Sequence, residues 1–418
     1  MINLDYLYDK NAAKKFFGKD YFVDKKLGFS VIEHGTILPY RKKLTDRIAK
    51  DNWGYGGIVD SENNFVKSSF VFTGAGEEYP FSADEIQYSP KTVIYLGMFH
   101  STWGHVITDN IRRLWFLKSD ACKSEFKNCP LVCLLCTKFG IFSLENYKNF
   151  RRLLEVLEVD VAKIQTITRP TRFDKIILPD ESFYLEGNRK FTNEYRETVN
   201  QIRDFALKNR TPTSAKKIYY FHGRRQIGEE RLATYFKTKG YHAVSPEKLT
   251  FDEQLNVLIN CRSFASTLGS CSLNSVFLRD NIETIFIPRS ANRFTAYQNT
   301  VNHVHPVKAN YVDSTLSLFG RGQHHYCYII SAQLKKFFGY KFDGYVEKDF
   351  KIFLQYVKNS VVNKRVFNPE AENYYSPVLY DFLAQLHNHE DLIAAFNMPP
   401  DWEKILSHGA TLTQEKNS

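Results

Sequence analysis

Three segments of the sequence combine residue types and spacings that could do chemistry. In Trp103-Gly104-His105-Val106-Ile107-Thr108-Asp109-Asn110-Ile111-Arg112-Arg113-Leu114, His105 and Asp109 stand four residues apart and share a face of any helix there. An imidazole beside a carboxylate can take a proton from a hydroxyl as a general base. The plainer arrangement pairs Asp109 with Arg113, again four residues on, and leaves His105 to cap a turn. The second segment, Phe221-His222-Gly223-Arg224-Arg225-Gln226-Ile227-Gly228-Glu229-Glu230, reads as a strand end opening into a helix. There Arg224 and Arg225, as planar forks beside the free N–H groups of a helix start, suit a pyrophosphate; the alternative is a pair of surface arginines. The third is Leu268-Gly269-Ser270-Cys271-Ser272-Leu273-Asn274. Gly269 permits a tight turn and close backbone approach. Ser270, Ser272 and the N–H groups could hold a phosphate or a sugar hydroxyl, or one serine could simply cap the helix.

Other features carry less chemistry. Cys129, Cys133 and Cys136 approach metal-ligand spacing, but they fall on the apolar run PLVCLLC, where alternate residues face opposite ways and no histidine completes a tetrahedron. Buried structural cysteines are the expectation. His303, His305, His324 and His325 read as scattered histidines in a strand-rich region. There is no Walker loop, no GxGxxG, no GxSxG, and no Asp-x-Asp at a strand end.

The elements that must position these segments alternate. Leu27 to Ile37 and Gly56 to Thr73 read as β pieces, with Asp60 to Asn64 as a hairpin turn. Thr92 to Phe99 is a continuous apolar strand, followed by a helix-like stretch from His105 to Leu117, a strand at Pro130 to Cys136, a helix at Asn146 to Leu157 and a strand at Phe173 to Leu178. This pattern predicts a parallel sheet covered by helices on both faces. After the polar stretch 209–217 the alternation restarts: strands at Lys217 to Phe221, Tyr241 to Val244, Arg262 to Leu268 and Ile282 to Ile287, with helices at Glu229 to Lys239, Phe251 to Cys261 and Ser272 to Arg279. Helical pieces at Ala332 to Phe338, Asp349 to Asn359 and Pro377 to Leu386 follow. The expected division is 1–210, 211–325 and a helical extension 326–418. Ligands of such sheets bind beyond the carboxyl ends of the strands, so the loops after Phe99, Phe221 and Leu268 are where a site belongs, in a cleft between the units.

Composition sets bounds on this picture. The 418 residues are 43% hydrophobic and 15% aromatic, which excludes a mainly disordered chain. No apolar run approaches the roughly 18–20 residues of a membrane span, and Met1 to Lys26 has no apolar core of a secretory signal. The odd count of seven cysteines points to a reducing cytoplasm. With 56 Lys+Arg against 46 Asp+Glu the net charge is +10, favouring a partner bearing phosphates or carboxylates, or an anionic membrane. The basic residues are spread too thinly for duplex binding to be favoured. Lys335-Lys336-Phe337-Phe338-Gly339-Tyr340-Lys341 reads as core plus solvated face, with membrane contact as the alternative.

In this order and spacing the segments resemble glycosyltransferase family 61. The family pattern G-H-x-x-x-D-x-L-P-R-L corresponds to Gly104 to Leu114, its R-R and acidic helix start to Arg224-Arg225 and Glu229-Glu230, and its S/T-F-x-E-Q helix to Thr250 to Gln254. Its G-A/S-x-x-x-N turn corresponds to Gly269 to Asn274, and its early hairpin looks like GGIVDSENNFVKSS. The resemblance spans roughly residues 30–290. It departs at Arg112, where the family has proline, and at Leu268, where histidine is frequent.

The resemblance implies an α/β chain of two Rossmann-like domains facing across a cleft (GT-B-like). It implies inverting, metal-independent transfer from a nucleotide sugar, commonly UDP-linked, to a glycan or lipid-linked glycan. The sugar would be a hexose, an N-acetylhexosamine or a pentose, and bacterial relatives occur with capsule and lipopolysaccharide genes. Asp109 is then the expected base, with His105 orienting it or the acceptor, or serving as base itself. Trp103 and Arg113 are expected at the acceptor. Gly223, Arg224, Arg225, Glu230, Gln254, Gly269, Ser270, Cys271, Ser272 and Asn274 are expected at the donor. No metal or other cofactor and no nucleic acid is expected. The expected place is the cytoplasm, or the inner face of a membrane. The alternatives are a catalytically inactive nucleotide-sugar or polysaccharide-binding protein on the same fold, and a nucleic-acid-processing protein with a basic cleft.

Overall fold

The near-continuous apolar runs form buried strands in two separate sheets of a computed structural model, which describes residues 1–18, 20–42, 54–69, 78–136, 143–183, 189–222, 226–291, 294, 296–320, 326–398, 402 and 406. Two units divide the chain: one is Asp20–Asn209 with Thr250–Asp252, the other Met1–Lys19 with Arg210–Leu249 and Glu253–Ser418. The first strand of the chain, Ile2–Tyr6 (β1), belongs to the latter.

In the unit built on Asp20–Asn209 the strands are Phe29–Glu33 (β2), Thr36–Lys42 (β3), Gly54–Val59 (β4), Gln87–Phe99 (β5), Leu131–Leu135 (β6), Ile164–Thr166 (β7) and Thr171–Pro179 (β8). They form one sheet in the order β4-β3-β8-β5-β6-β7, with β2 also on β8. β5 runs parallel to β6 and β8, and β6 to β7, whereas β2 and β3 run antiparallel to β8 and β4 antiparallel to β3. The sheet is therefore mixed rather than parallel throughout. The early β pieces add onto the free edge of β8, which removes an exposed edge of the apolar strand TRFDKIILP. Val93, Tyr95, Val132, Leu134, Ile176 and Leu178 make its core. The predicted turn at Asp60 closes as expected: the Asp60 carboxylate accepts the N–H groups of Glu62 and Asn64 at 2.9 and 2.8 Å. Positions 70–73 of the predicted second strand lie outside the described residues.

The other unit contains Lys217–Tyr220 (β9), His242–Val244 (β10), Ser263–Thr267 (β11), Glu283–Ile287 (β12) and Lys308–Val312 (β13). With β1 they form a six-stranded sheet, β1-β13-β12-β11-β9-β10, every neighbour parallel. The chain leaves β9 toward β10 and returns on its other side as β11, so the strand order reverses between β9 and β11. In a doubly wound sheet the crevice at such a reversal is the ligand position. The helix Glu229–Thr238 buries Leu232, Ala233 and Phe236 against Tyr219, Ala265 and Ile285.

The segment after β1 and the helix Pro369–His387 meet this sheet at Asp313, just past β13. Its carboxylate accepts the Tyr8 N–H at 2.7 Å and the Tyr374 hydroxyl at 2.8 Å, and burial pushes its carboxyl up to about 7. The helices Glu347–Val362 and Pro369–His387 pack Phe350, Phe353, Tyr375 and Phe382 into a second cluster. The latter starts eight residues before the predicted Pro377, capped by Asn368 with Pro369 in its first turn, and carries Pro377 in its interior. His303 lies on the helix Ala296–Val304, not in a strand-rich region, with its Nδ1 2.6 Å from the Asn299 carbonyl.

Of the aromatic, lysine-rich stretch, Phe337 packs on Tyr6 and Phe338 on Tyr235, Phe236 and Tyr241, so these rings belong to the core. Among the described residues no helix is long and apolar enough to cross a membrane. The architecture is α/β with two sheet-bearing units and C-terminal helices, consistent with a GT-B-like chain.

Candidate active site

In the first-described unit the chemistry collects at the carboxyl end of β5. The segment expected as one helix is instead broken: one helical turn at Trp103–His105, a π-helical turn at Val106–Asn110, and a 3-10 stretch at Leu114–Lys118. In Val106–Asn110 three β-branched residues, Val106, Ile107 and Thr108, and three side chains able to bond the backbone, Thr108, Asp109 and Asn110, make a regular helix costly. Thr108 Oγ1 donates to the Gly104 carbonyl at 3.0 Å. The Asn110 amide clasps the backbone of His100, accepting its N–H at 2.9 Å and donating to its carbonyl at 3.0 Å. Widened turns of this kind recur at functional sites.

The π turn brings His105 and Asp109 together, Nδ1 to Oδ2 at 2.7 Å, and the Thr108 hydroxyl, its one proton shared with the Gly104 carbonyl, lies 2.9 Å from the same carboxylate oxygen. Asp109 is 2% exposed and His105 20%. Burial alone would push the Asp109 carboxyl up. The His105 hydrogen bond, with the charges of His105, Arg112 and His100, outweighs it and leaves the carboxyl below its usual range. Arg112 reaches the other Asp109 oxygen at 3.5 Å and Glu181 at 3.2 Å.

Arg113 does not pair with Asp109. It is 1% exposed, bonds Glu181 at 2.7 Å, and donates to the carbonyls of Pro179 and Ser68. Its guanidinium lies against β5 where the pairing register slips between Tyr95 and Met98, at Gly97 with φ +92°. A Cβ on Gly97 would stand 3.4 Å from Arg113 Nε. Arg113 holds the strand end together rather than facing an acceptor. Trp103 is half-buried, edge-on to Tyr147.

In the second unit a polar cluster occupies the carboxyl ends of β9, β11 and β12. Glu229, in the first turn of its helix, is 1% exposed; its Oε1 accepts the His222 N–H at 3.2 Å and the Thr267 hydroxyl at 2.9 Å, while Oε2 has no partner among the described residues. Burial pushes its carboxyl up to about 7 despite those bonds and the charge of Arg289. Burial, with Arg289 adding to it, lowers His222 to about 4, so its 3.7 Å approach to Glu247 involves a neutral imidazole at pH 7. Gly269, φ +139°, opens the next helix, and Ser272 Oγ accepts its N–H and donates to its carbonyl, both at 2.9 Å. Arg289, just past β12, lies directly against Gly269.

The other residues expected at the donor divide. Gly223, Arg224 and Arg225 lie outside the described residues. Glu230 is exposed, and it is its neighbour Glu229 that enters the cluster. Gln254 is buried and donates to the carbonyls of Pro246 and Leu249, at 3.0 and 3.2 Å, pinning the loop ahead of its own helix. Asn274 is buried and donates to the carbonyls of Ser270 and Cys271. Ser270 is half-buried. Cys271 is buried, which pushes its thiol well up and keeps it protonated.

Glu181, Thr267 and Arg289 are not singled out by the sequence, and Glu229 is read there only as half of the acidic helix start Glu229-Glu230. The rule that sites follow strand ends points to the loops after Phe99, Phe221 and Leu268. Applied to Ile287 as well, it leads to Arg289 two residues on.

Among the described residues no group of three or more His, Cys, Asp or Glu is placed to hold a metal ion, and all seven cysteines are free. No curated protein matches the chain. Residues 103–287, from the tryptophan ahead of His105 to the last residue of β12, match the family model Glycosyltransferase 61, a match that supports enzymatic, glycosyltransferase activity.

Proposed function

We propose that the protein transfers a sugar from a nucleotide diphosphate sugar, UDP-linked, to a hydroxyl of a glycan or lipid-linked glycan, with inversion and without a metal. The observation that carries this reading is the His105–Asp109 pair, 2.7 Å apart at a strand end within the matched segment. A single displacement needs one base for the acceptor proton. Sequence reasoning put that role first on Asp109. The exposures favour His105, because Asp109 is buried and its carboxylate is already engaged by Thr108, His105 and Arg112. With Nδ1 bonded to Asp109, the imidazole takes the proton on Nε2, and the ionised carboxylate stabilises the imidazolium that forms.

The acceptor oxygen bonds the anomeric carbon as the bond from that carbon to the diphosphate breaks, and the electron pair leaves on the diphosphate. The Gly269–Ser272 turn, with Arg224 and Arg225 on the strength of the family resemblance, is assigned to that group. Surface polysaccharide synthesis, capsule or lipopolysaccharide, is the setting in which such an acceptor meets a cytoplasmic or membrane-peripheral enzyme.

The test is incubation with a panel of nucleotide sugars and glycan acceptors in EDTA, following nucleoside diphosphate release and the anomeric configuration of the product by NMR. Release with an inverted anomer supports the reading. Retention, or a strict need for added metal, contradicts it, and binding without release would favour the inactive sugar-nucleotide-binding alternative.

A further inference from the structure

We propose that Arg289 is the side chain that neutralises the donor's diphosphate, seated for that task against Gly269 where the strand order of the second sheet reverses. This rests on the reading of the protein as a nucleotide-sugar transferase and adds to it a residue beyond the matched segment 103–287.

The first observation is a guanidinium without an anion. Among the described residues Arg289 makes no hydrogen bond or ion pair, and its Nε is buried without an acceptor. Its defined contact is the ring of Tyr326, 5.0 Å from Cζ, which engages a face of the guanidinium and leaves the N–H edges available. The nearest acidic candidate does not satisfy it. Glu229 turns Oε1 to His222 and Thr267, and burial favours its neutral form up to about pH 7. His222 is uncharged there too. The other carboxylate near the cluster, Glu247, stands 3.7 Å from His222 Nδ1 and makes no ion pair with Arg289.

The second observation is the seat. A Cβ on Gly269 would stand 2.1 Å from Arg289 Nη2 and 2.4 Å from Cζ, and the φ of +139° itself admits only glycine readily. Sequence reasoning took this glycine as room for a ligand to approach the backbone. The structure fills that room with the guanidinium. It is held beside the Gly269–Ser272 turn, at the strand ends where an α/β sheet binds its ligand. An anion placed there meets a planar fork that pairs two phosphate oxygens at once. As the anomeric carbon departs and charge grows on the diphosphate, those N–H bonds strengthen.

The full chain and its Arg289→Ala, Arg289→Lys and Gly269→Ala variants are titrated calorimetrically with the diphosphate, monophosphate and free nucleoside of uracil, guanine, cytosine and adenine, in EDTA. For the nucleobase that the wild type prefers, the gain from nucleoside to diphosphate should shrink about tenfold to hundredfold in Arg289→Ala, the worth of one or two charge-assisted hydrogen bonds. Affinity for the free nucleoside should stay unchanged. Arg289→Lys should recover part of the gain, and Gly269→Ala should lose it with Arg289 still present. Diphosphate binding with the same gain in Arg289→Ala overturns the role of Arg289 and leaves the proposed function standing. Equal loss of nucleoside and diphosphate binding would make Arg289 structural and also overturns the proposal. If the wild type binds no nucleoside diphosphate, the proposed function fails and this inference with it.

Discussion

Each unit seats one arginine against a positive-φ glycine at a strand end, and the two guanidiniums meet opposite fates. Arg113, against Gly97, is closed in by Glu181 and two main-chain carbonyls. Arg289, against Gly269, has a tyrosine ring and no anion among the described residues. A buried charge is tolerable when paired and hydrogen-bonded, so the first is a structural bond. The second keeps N–H groups that no described residue takes up. The comparison separates an arginine that holds a site's scaffold from one poised to act.

The largest effect tests what the first scaffold positions. His105→Ala should lower kcat by about 10²–10⁴, the usual worth of a general base, and, because it takes a hydrogen bond from the buried Asp109 carboxylate, should cost about 1–3 kcal/mol of stability. Asp109→Asn should lower it less. Steady-state turnover beside urea unfolding decides this, and near-wild-type turnover in His105→Ala refutes the base assignment. Next comes Arg113→Ala, which leaves the buried Glu181 with Arg112 alone and takes the donor from the Pro179 and Ser68 carbonyls, and should cost about 3 kcal/mol. Arg289→Ala should cost under about 1 kcal/mol. Equal costs in urea unfolding would erase the distinction between the two seats.

The sheets were legible in the sequence because buried parallel strands are written as unbroken apolar runs: TVIYLGMF lies in β5, and the runs PLVCLLC and IETIFI hold β6 (LVCLL) and β12 (ETIFI). The mixed character of the first sheet was not, because strand partners are set by contacts distant in sequence. For the same reason nothing in INLDY announces that β1 joins β13 some 300 residues later, where Ile2 pairs with Ala309. At the site, the four-residue spacing of His105 and Asp109 found a real pair, although the turn joining them is a π turn. Periodicity could not choose between Glu229 and Glu230, since one residue of helical rotation separates a buried carboxyl from an exposed one. Arg113 read as an acceptor contact because sequence carries no sign of burial for a charged residue.

Smaller effects sharpen the comparison further. Gly97→Ala forces an alanine into φ +92° beside Arg113 and should cost about 1–2 kcal/mol of stability, measured by denaturant unfolding. The smallest effect concerns Glu229, which Arg289, Glu247, the His222 N–H and Thr267 all face. Its folded pKa of about 7 lies above that of a free glutamate, so its contribution to stability is complete below about pH 4.5 and is lost as pH rises through 7. Ionisation also places a negative charge beside the anion seat. Diphosphate affinity should fall by about threefold between pH 6 and 8, beyond any change traced to the ligand's own ionisation, and Glu229→Gln should flatten that profile. A pH series of titrations on both proteins is the check.

The most direct measurement is urea unfolding of the wild type and Arg289→Ala, each with and without a saturating nucleoside diphosphate of the preferred base in EDTA. Ligand that binds only the folded state raises its stability, by about 2.7 kcal/mol at a hundredfold excess over Kd. The account predicts that rise in the wild type, a rise of only about 0.4–1.4 kcal/mol in Arg289→Ala at the same concentration, where a tenfold to hundredfold weaker affinity leaves the ligand at one to ten times Kd, and stabilities of the two proteins within about 1 kcal/mol of each other without ligand. A variant stabilised as much as the wild type, or one already weakened without ligand as far as Arg113→Ala, would contradict it.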